Sequence, residues 1–197
     1  MEVSLLETIE MKVIIETDRL YLRELLPGDV QGMFEMDSDP DVHRFVGRSP
    51  VKTLDESIKA IENIRRQYKD FGVARLAIIE KVTEGFVGWG GLKFITENVN
   101  GFQNYHDLGY RFIKRYWGKG YAKESTKGVI KYAFEKLKLP VIYAIADLEH
   151  KASRNVLESS GFDFVNSFEY DGDPHAWYKL SPIPVHKRTA LFDSEQI

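Results

Sequence analysis

Arg115-Tyr116-Trp117-Gly118-Lys119-Gly120-Tyr121-Ala122 sets two glycines, two residues apart, between two regular patterns. The run Leu108–Ile113 before it is extended in character. After it, Ala122, Thr126, Val129, Ile130, Ala133, Phe134 and Leu137 recur on one side of a helix spanning Ala122–Leu137. Glycine lets the backbone take left-handed conformations and pass close to a ligand. The first N–H groups of a helix lack internal partners, and the helix dipole favours negative charge there. The octapeptide therefore reads as a strand–turn–helix cradle for a phosphate.

Spacing removes two familiar cradles. A P-loop needs a glycine five residues before Gly118, where Ile113 stands. A dinucleotide fingerprint needs a third glycine three after Gly120, where Lys123 stands. Gly88-Trp89-Gly90-Gly91 lies inside a strand pattern and reads as a bulge or a close backbone approach.

Charge favours a small polyanion over nucleic acid. The 197-residue chain carries a net charge of −3. Residues 111–131 hold Arg111, Lys114, Arg115, Lys119, Lys123, Lys127 and Lys131 against Glu124 alone, so this window is +6 and the remainder −9. Lys119, Lys123, Lys127 and Lys131 are also spaced as one solvated helix side. The absence of cysteine excludes disulfides and thiol chemistry and fits the cytoplasm. No apolar run approaches a membrane span, and the acidic start lacks the form of a signal peptide.

The remaining pattern predicts one mixed α/β domain over residues 1–197. A first strand is centred on Leu20–Leu25 within the alternating stretch 13–25. Asp29 is placed to cap a helix over Val30–Met36. Thr53 or Asp55 caps another that runs to about Tyr68, with Ile58, Ile61, Ile64 and Tyr68 buried. Ala74–Glu80 and Phe86–Ile95 form a hairpin, Asp107–Ile113 enters the glycine turn, and Val141–Leu148 is a buried central strand. Lys151–Ser160 is a helix closed by Gly161, and Phe162–Tyr170 and Ala176–Leu180 complete the sheet. The core spans about 14–181, with 1–12 and 182–197 as terminal extensions and a loosely held tail. Met11 is the more natural start.

Arg115-x-x-Gly118-x-Gly120 resembles the Gln/Arg-x-x-Gly-x-Gly/Ala signature of the GNAT-fold N-acetyltransferases. Leu108-Gly109-Tyr110 and Tyr116–Glu124 resemble its RimJ/RimL-type branch. So do Glu16-Thr17-Asp18-Arg19-Leu20-x-Leu22-Arg23 and Ser153-x-x-x-Leu157-x-x-x-Gly161-Phe162. The resemblance implies a central mixed, twisted sheet of about seven strands with helices on both faces and two strands splayed at a cofactor cleft. It implies acetyl-CoA as co-substrate, no metal, and a small-molecule or peptide amine as acceptor, in a monomer or homodimer. Pyrophosphate then falls on Trp117, Gly118, Lys119, Gly120, Tyr121 and Ala122, beside Arg115. The pantetheine pairs with the edge Tyr110, Arg111 and Phe112, opposite Val141–Leu148.

The acceptor side is less specified. An amine attacks a thioester only when neutral, so a base is useful, and a hydroxyl can protonate the departing thiolate. The tyrosine many family members use, four residues before the Gly-Phe pair, is Leu157 here. Ser153 occupies the place of the branch's substitute, with helix capping as its structural alternative. His150 replaces the asparagine that opens the motif; it either takes over a cofactor contact or lies exposed in a loop. Asp107, before Leu-Gly-Tyr, is the candidate base, with a solvated strand-end acid as the alternative. Tyr110 and Trp89 are candidates to line the acceptor cleft. The resemblance leaves two functions open: an N-acetyltransferase, or an acyl-CoA-binding module without useful turnover. A nucleotide-phosphate enzyme is the third reading.

Overall fold

Residues 13–25, expected to hold a single strand, turn back on themselves. The computed structural model describes residues 12–182, and apart from Lys12 and Pro182 the expected terminal extensions lie outside them, as does Met11. β1 (Val13–Glu16) and β2 (Leu20–Arg23) form an antiparallel hairpin, because Thr17 closes the turn: its N–H donates to the Leu20 carbonyl at 2.9 Å and its hydroxyl accepts from the Leu20 N–H at 3.2 Å. This adds one strand to the expected number. The sheet has eight strands in the order β1-β2-β3-β4-β5-β6-β8-β7. The others are β3 (Arg75–Glu80), β4 (Phe86–Ile95), β5 (Tyr105–Phe112), β6 (Ile142–Asp147), β7 (Asp163–Tyr170) and β8 (Asp173–Leu180). All neighbours are antiparallel except β5 and β6.

Alternation along the strands builds two cores. Leu76 and Ile78 of β3 join Val129, Ala133 and Leu157 beneath α4 (Tyr121–Lys131) and α5 (Lys151–Glu158). Ala77 and Ile79 face the other way, onto Met33 and Met36 of α1 (Val30–Ser38) and Ile61 of α3 (Leu54–Phe71). Helices thus cover both faces, and a four-residue helix α2 (Pro40–His43) follows α1. Buried β6 supplies Ile142 and Ala144, both fully covered, as its apolar run predicts.

Local chemistry explains most boundaries. Thr53 and Glu56 form a capping box at the start of α3, which ends at Gly72 in a left-handed conformation (φ 72°), one turn beyond the expected Tyr68. The buried stripe of α3 is Ser57, Ile61, Ile64 and Tyr68. Ile58 is 43% exposed because it sits one residue off that stripe. Asp29 does not cap α1 with its side chain. Its carboxylate takes both Arg23 guanidinium nitrogens at 2.7 Å and the Leu26 N–H at 2.7 Å. Asp171 and Gly172, both at positive φ, make a two-residue turn, so β8 starts at Asp173 rather than Ala176. α4 passes into a π-turn over Tyr132–Lys136. Gly128 lets α4 lie on β1: a Cβ there would stand 2.9 Å from Ile15 Cγ2.

Candidate active site

The sheet opens at one place. β4 and β5 pair without interruption from Gly88↔Phe112 to Ile95↔Tyr105, whereas β5 and β6 pair only at Asp107↔Tyr143. Beyond Asp107 the two strands leave each other, and the backbone edge of β5 has no ladder partner in β6. Opposite this stretch, β4 bulges at Val87, a deformation that adds twist. Gly88 is required there, since a Cβ would fall 2.2 Å from the Arg111 carbonyl. The Gly88–Gly91 segment is therefore both a bulge and a close approach.

β5 runs directly into the glycine turn. Lys114–Tyr116 makes one 3-10 turn, Gly118 and Gly120 have φ of 74° and 82°, and α4 begins at Tyr121 with no side chain capping it. Nothing lies within 4 Å of a Cβ built on Gly118, so conformation rather than crowding demands glycine. The Trp117 indole donates to the Phe112 carbonyl at 2.9 Å, so that carbonyl of the expected pantetheine edge already has a partner. Tyr121 is buried, its hydroxyl donating to Glu80 and its ring lying under Arg19. Ala122 is half-buried behind it.

The basic window does not form one surface. Arg111, Lys114 and Arg115 pair with Asp37, Asp41 and Glu35 on the α1–α2 side. The Arg111 and Arg115 side chains are thus engaged by carboxylates of α1. Alternation sends Arg111 to the face shared with Asp107 and opposite Tyr110. Lys119, above the Tyr116 ring, and Lys123 remain exposed beside the turn. A residue outside the expected site holds this turn: Arg19 donates to the Lys119 carbonyl at 3.0 Å and to Glu124 at 2.7 Å.

On the α1–α3 face, the Asp107 carboxylate is largely covered and its Oδ2 accepts from Arg75. Burial pushes this carboxyl above the ordinary range, against the pull of Arg75 and, more weakly, Lys93. The solvated-acid alternative for Asp107 is overturned. Beside it, Arg111 donates to Asp37 at 2.6 Å, with His43 Nε2 3.4 Å from the same guanidinium nitrogen. Burial, helped by Arg111, lowers the His43 pKa. Arg75 and Arg111 both lie against the Trp89 ring, at 5.6 and 5.1 Å from its centre, which places Trp89 on this face.

On the other face the Tyr110 hydroxyl lies 3.0 Å from the Ser153 carbonyl, to which it donates, and 3.1 Å from Ser153 Oγ. This contact spans β5 and α5, the elements flanking the opening. Burial pushes the Tyr110 phenol up to about 12. Ser153 caps nothing; α5 has no side-chain cap. His150 is half-buried rather than exposed, stacked on Phe45 with ring centres 4.4 Å apart, and burial lowers its pKa. Leu157, one turn beyond Ser153, is 1% exposed in the core, so no hydroxyl stands there. The structure brings Tyr110 to Ser153 and sets Asp107 at the point where the strands part. It separates Asp107 from Ser153 by the thickness of the sheet.

Sequence reasoning missed Arg19, Arg75, His43 and Phe45. Arg19 lies within a quoted motif, whose resemblance was its one available signal. The others carry no local pattern beyond a polar or aromatic residue in its element. Among the described residues no group of three His, Cys, Asp or Glu side chains could hold a metal. No helix among them is long and apolar enough to cross a membrane.

The family described as an acetyltransferase (GNAT) domain matches residues 19–163. The FsC-acetyl coenzyme A-N(2)-transacetylase of Aspergillus fumigatus is 31% identical over 176 residues, covering 85% of this chain and 73% of that protein. The uncharacterized N-acetyltransferase YoaA of Bacillus subtilis is 28% identical over 149 residues, 76% of this chain and 82% of its own. Among solved structures, RimL, a ribosomal L7/L12 alpha-N-protein acetyltransferase in complex with coenzyme A, superposes with a TM-score of 0.73. That likeness covers 86% of this chain and 98% of RimL at 16% identity, and concerns the fold.

Proposed function

The chain belongs to the GNAT acetyltransferase family and is an acyltransferase of its acetyl-CoA-dependent kind, and from that premise we propose that it acetylates a primary amine of a peptide N-terminus or a small molecule, in the manner of the RimJ/RimL branch. The reaction is direct attack within a ternary complex, in a single cytoplasmic domain. The observation that carries this is the strand ladder that stops after Asp107↔Tyr143, immediately before a left-handed glycine pair and an uncapped helix start.

The residues present fit the co-substrate. The N–H groups from Gly118 to Lys123, with the Lys119 ammonium, receive pyrophosphate. The unpaired edge of β5 from Leu108 to Arg111 offers backbone groups to the pantetheine amides. Acetyl-CoA supplies the activated acetyl carbon and a thiolate leaving group. Asp107 Oδ2 is held by Arg75 while Oδ1 has no protein partner among the described residues, so Oδ1 takes the proton of the attacking amine. Ser153 Oγ, 3.1 Å from the Tyr110 hydroxyl, gives its proton to the departing coenzyme A thiolate on the opposite side of the opening and takes one back from solvent.

Free-thiol release from acetyl-CoA, followed over a panel of Ser-, Ala- and Met-initiated peptides and small amines, tests the reading. Acceptor-dependent release is expected, with Asp107→Asn lowering kcat about 10²-fold or more. Coenzyme A binding without acceptor-dependent release across the panel would instead favour the binding module, the reading that Leu157 in the tyrosine's place supports.

A further inference from the structure

Arg75 reaches across three strands. From β3 its Nη1 donates to the Gly91 carbonyl of β4 at 2.5 Å and to the Asp107 carbonyl of β5 at 2.6 Å. Its Nη2 donates to Asp107 Oδ2. The guanidinium is 11% exposed as a side chain and lies against Trp89. Space for it exists because β5 has a glycine: a Cβ on Gly109 would stand 2.6 Å from Arg75 Nη2 and 2.9 Å from its Cζ. Gly109 has no positive φ among the glycines of the chain, so its small size, not its backbone freedom, is what the site uses.

We propose that Arg75 is the positioning residue for Asp107, locking Oδ2 and the main chain of β5 so that only Oδ1 faces the acceptor, and that Gly109 is the cavity that admits it. The inference rests on Asp107 being the base. A buried carboxylate alone would take up a proton and lose its function. A planar guanidinium on one oxygen opposes that proton uptake, and its second nitrogen fixes the backbone from which the carboxylate projects. The other groups facing Asp107 are Lys93, its partner across β4, and the Tyr105 and Tyr170 phenols, none of which donates a hydrogen bond to it.

The test reads Asp107 itself and needs no acceptor. The full chain, labelled with carboxyl-13C aspartate, is titrated by NMR, and Asp107→Asn assigns the resonance. In Arg75→Gln the Asp107 titration is expected to move up by about one to three pH units. Arg75→Lys retains part of the interaction and moves it less. Gly109→Ala displaces the guanidinium with Arg75 intact and is expected to move it in the same direction. It also serves should Arg75→Gln fail to fold, with coenzyme A-induced thermal stabilisation reporting folding. An unmoved titration in folded Arg75→Gln or Gly109→Ala overturns the inference. Undiminished turnover in Asp107→Asn would overturn the base reading instead and leave the Arg75 contact standing.

Discussion

Arg19 and Lys119, a hundred residues apart in sequence, meet where the Arg19 guanidinium donates to the Lys119 carbonyl between the two glycines, at 3.0 Å. Glu124, in the first turn of α4, accepts from Arg19 Nε at 2.7 Å, from its backbone N–H at 2.8 Å and from the Thr17 hydroxyl at 2.6 Å. These bonds hold the Glu124 carboxyl below the usual carboxylate range against the effect of burial. The β1–β2 turn thereby clamps the glycine turn into shape.

Arg19→Ala should therefore weaken coenzyme A without removing any direct ligand. About a tenfold rise in Kd is expected, equivalent to ~1.4 kcal/mol, measured by calorimetry. Glu124→Gln should weaken it less, because the amide keeps one acceptor. An unchanged Kd in Arg19→Ala would show that the turn holds its shape unaided.

Gly118→Ala isolates backbone strain. Its φ of 74° is left-handed and its surroundings are open, so the added methyl costs conformation alone, about 1–2 kcal/mol. Thermal unfolding should report that loss, and coenzyme A affinity should fall with it. Unchanged melting and unchanged affinity would mean the turn can adopt another conformation at no cost.

Acid should destabilise the fold through histidine. His43, His106 and His150 all have pKa values lowered by burial from 6.5; Arg111 helps at His43, where Asp37 opposes, and Asp147 opposes at His150. The unfolded chain then binds protons first. Stability is fully present above pH 6.5 and is lost as pH falls from there toward the folded-state values. Urea midpoints across this window should fall, and His43→Gln should flatten part of the slope. A slope unaffected by that variant would remove His43 from the account.

The capping box of α3 gives a stability prediction separate from the site. Thr53 and Glu56 exchange side-chain and backbone bonds at the helix start. Thr53→Ala should cost about 1 kcal/mol in chemical denaturation while leaving coenzyme A binding unchanged.

Much of this was legible in the residues. The glycine pair marks the turn before α4 because left-handed backbone and an uncapped helix start are local properties. The two faces of β3 follow from alternation, and the start of α3 from Thr53, one of the two caps expected there; the Glu56 half of its capping box came from the structure. The first hairpin is hard to read because the polar run Glu16-Thr17-Asp18-Arg19 that interrupts the alternation holds no glycine or proline, and the turn depends on Thr17 instead. Counting alternately from Asp107 puts Arg111 on its face and Tyr110 on the other. The charge count over 111–131 merged those faces into one stripe.

The sequence by itself determined most of the elements, the glycine turn and the family, since all three rest on residues adjacent along the chain or repeating at the period of a helix or strand. Only the tertiary structure decided how the charges pair. Arg75 finds Asp107, Arg19 finds Lys119 and Glu124, and Arg111 finds Asp37 because strand register and helix docking bring them together. It also decided that His150 stacks on Phe45 and that Tyr110 meets Ser153 across the opening. Such contacts depend on where one element lies against another, which local propensity does not encode, and burial strengthens those that lie inside, such as Arg75 with Asp107.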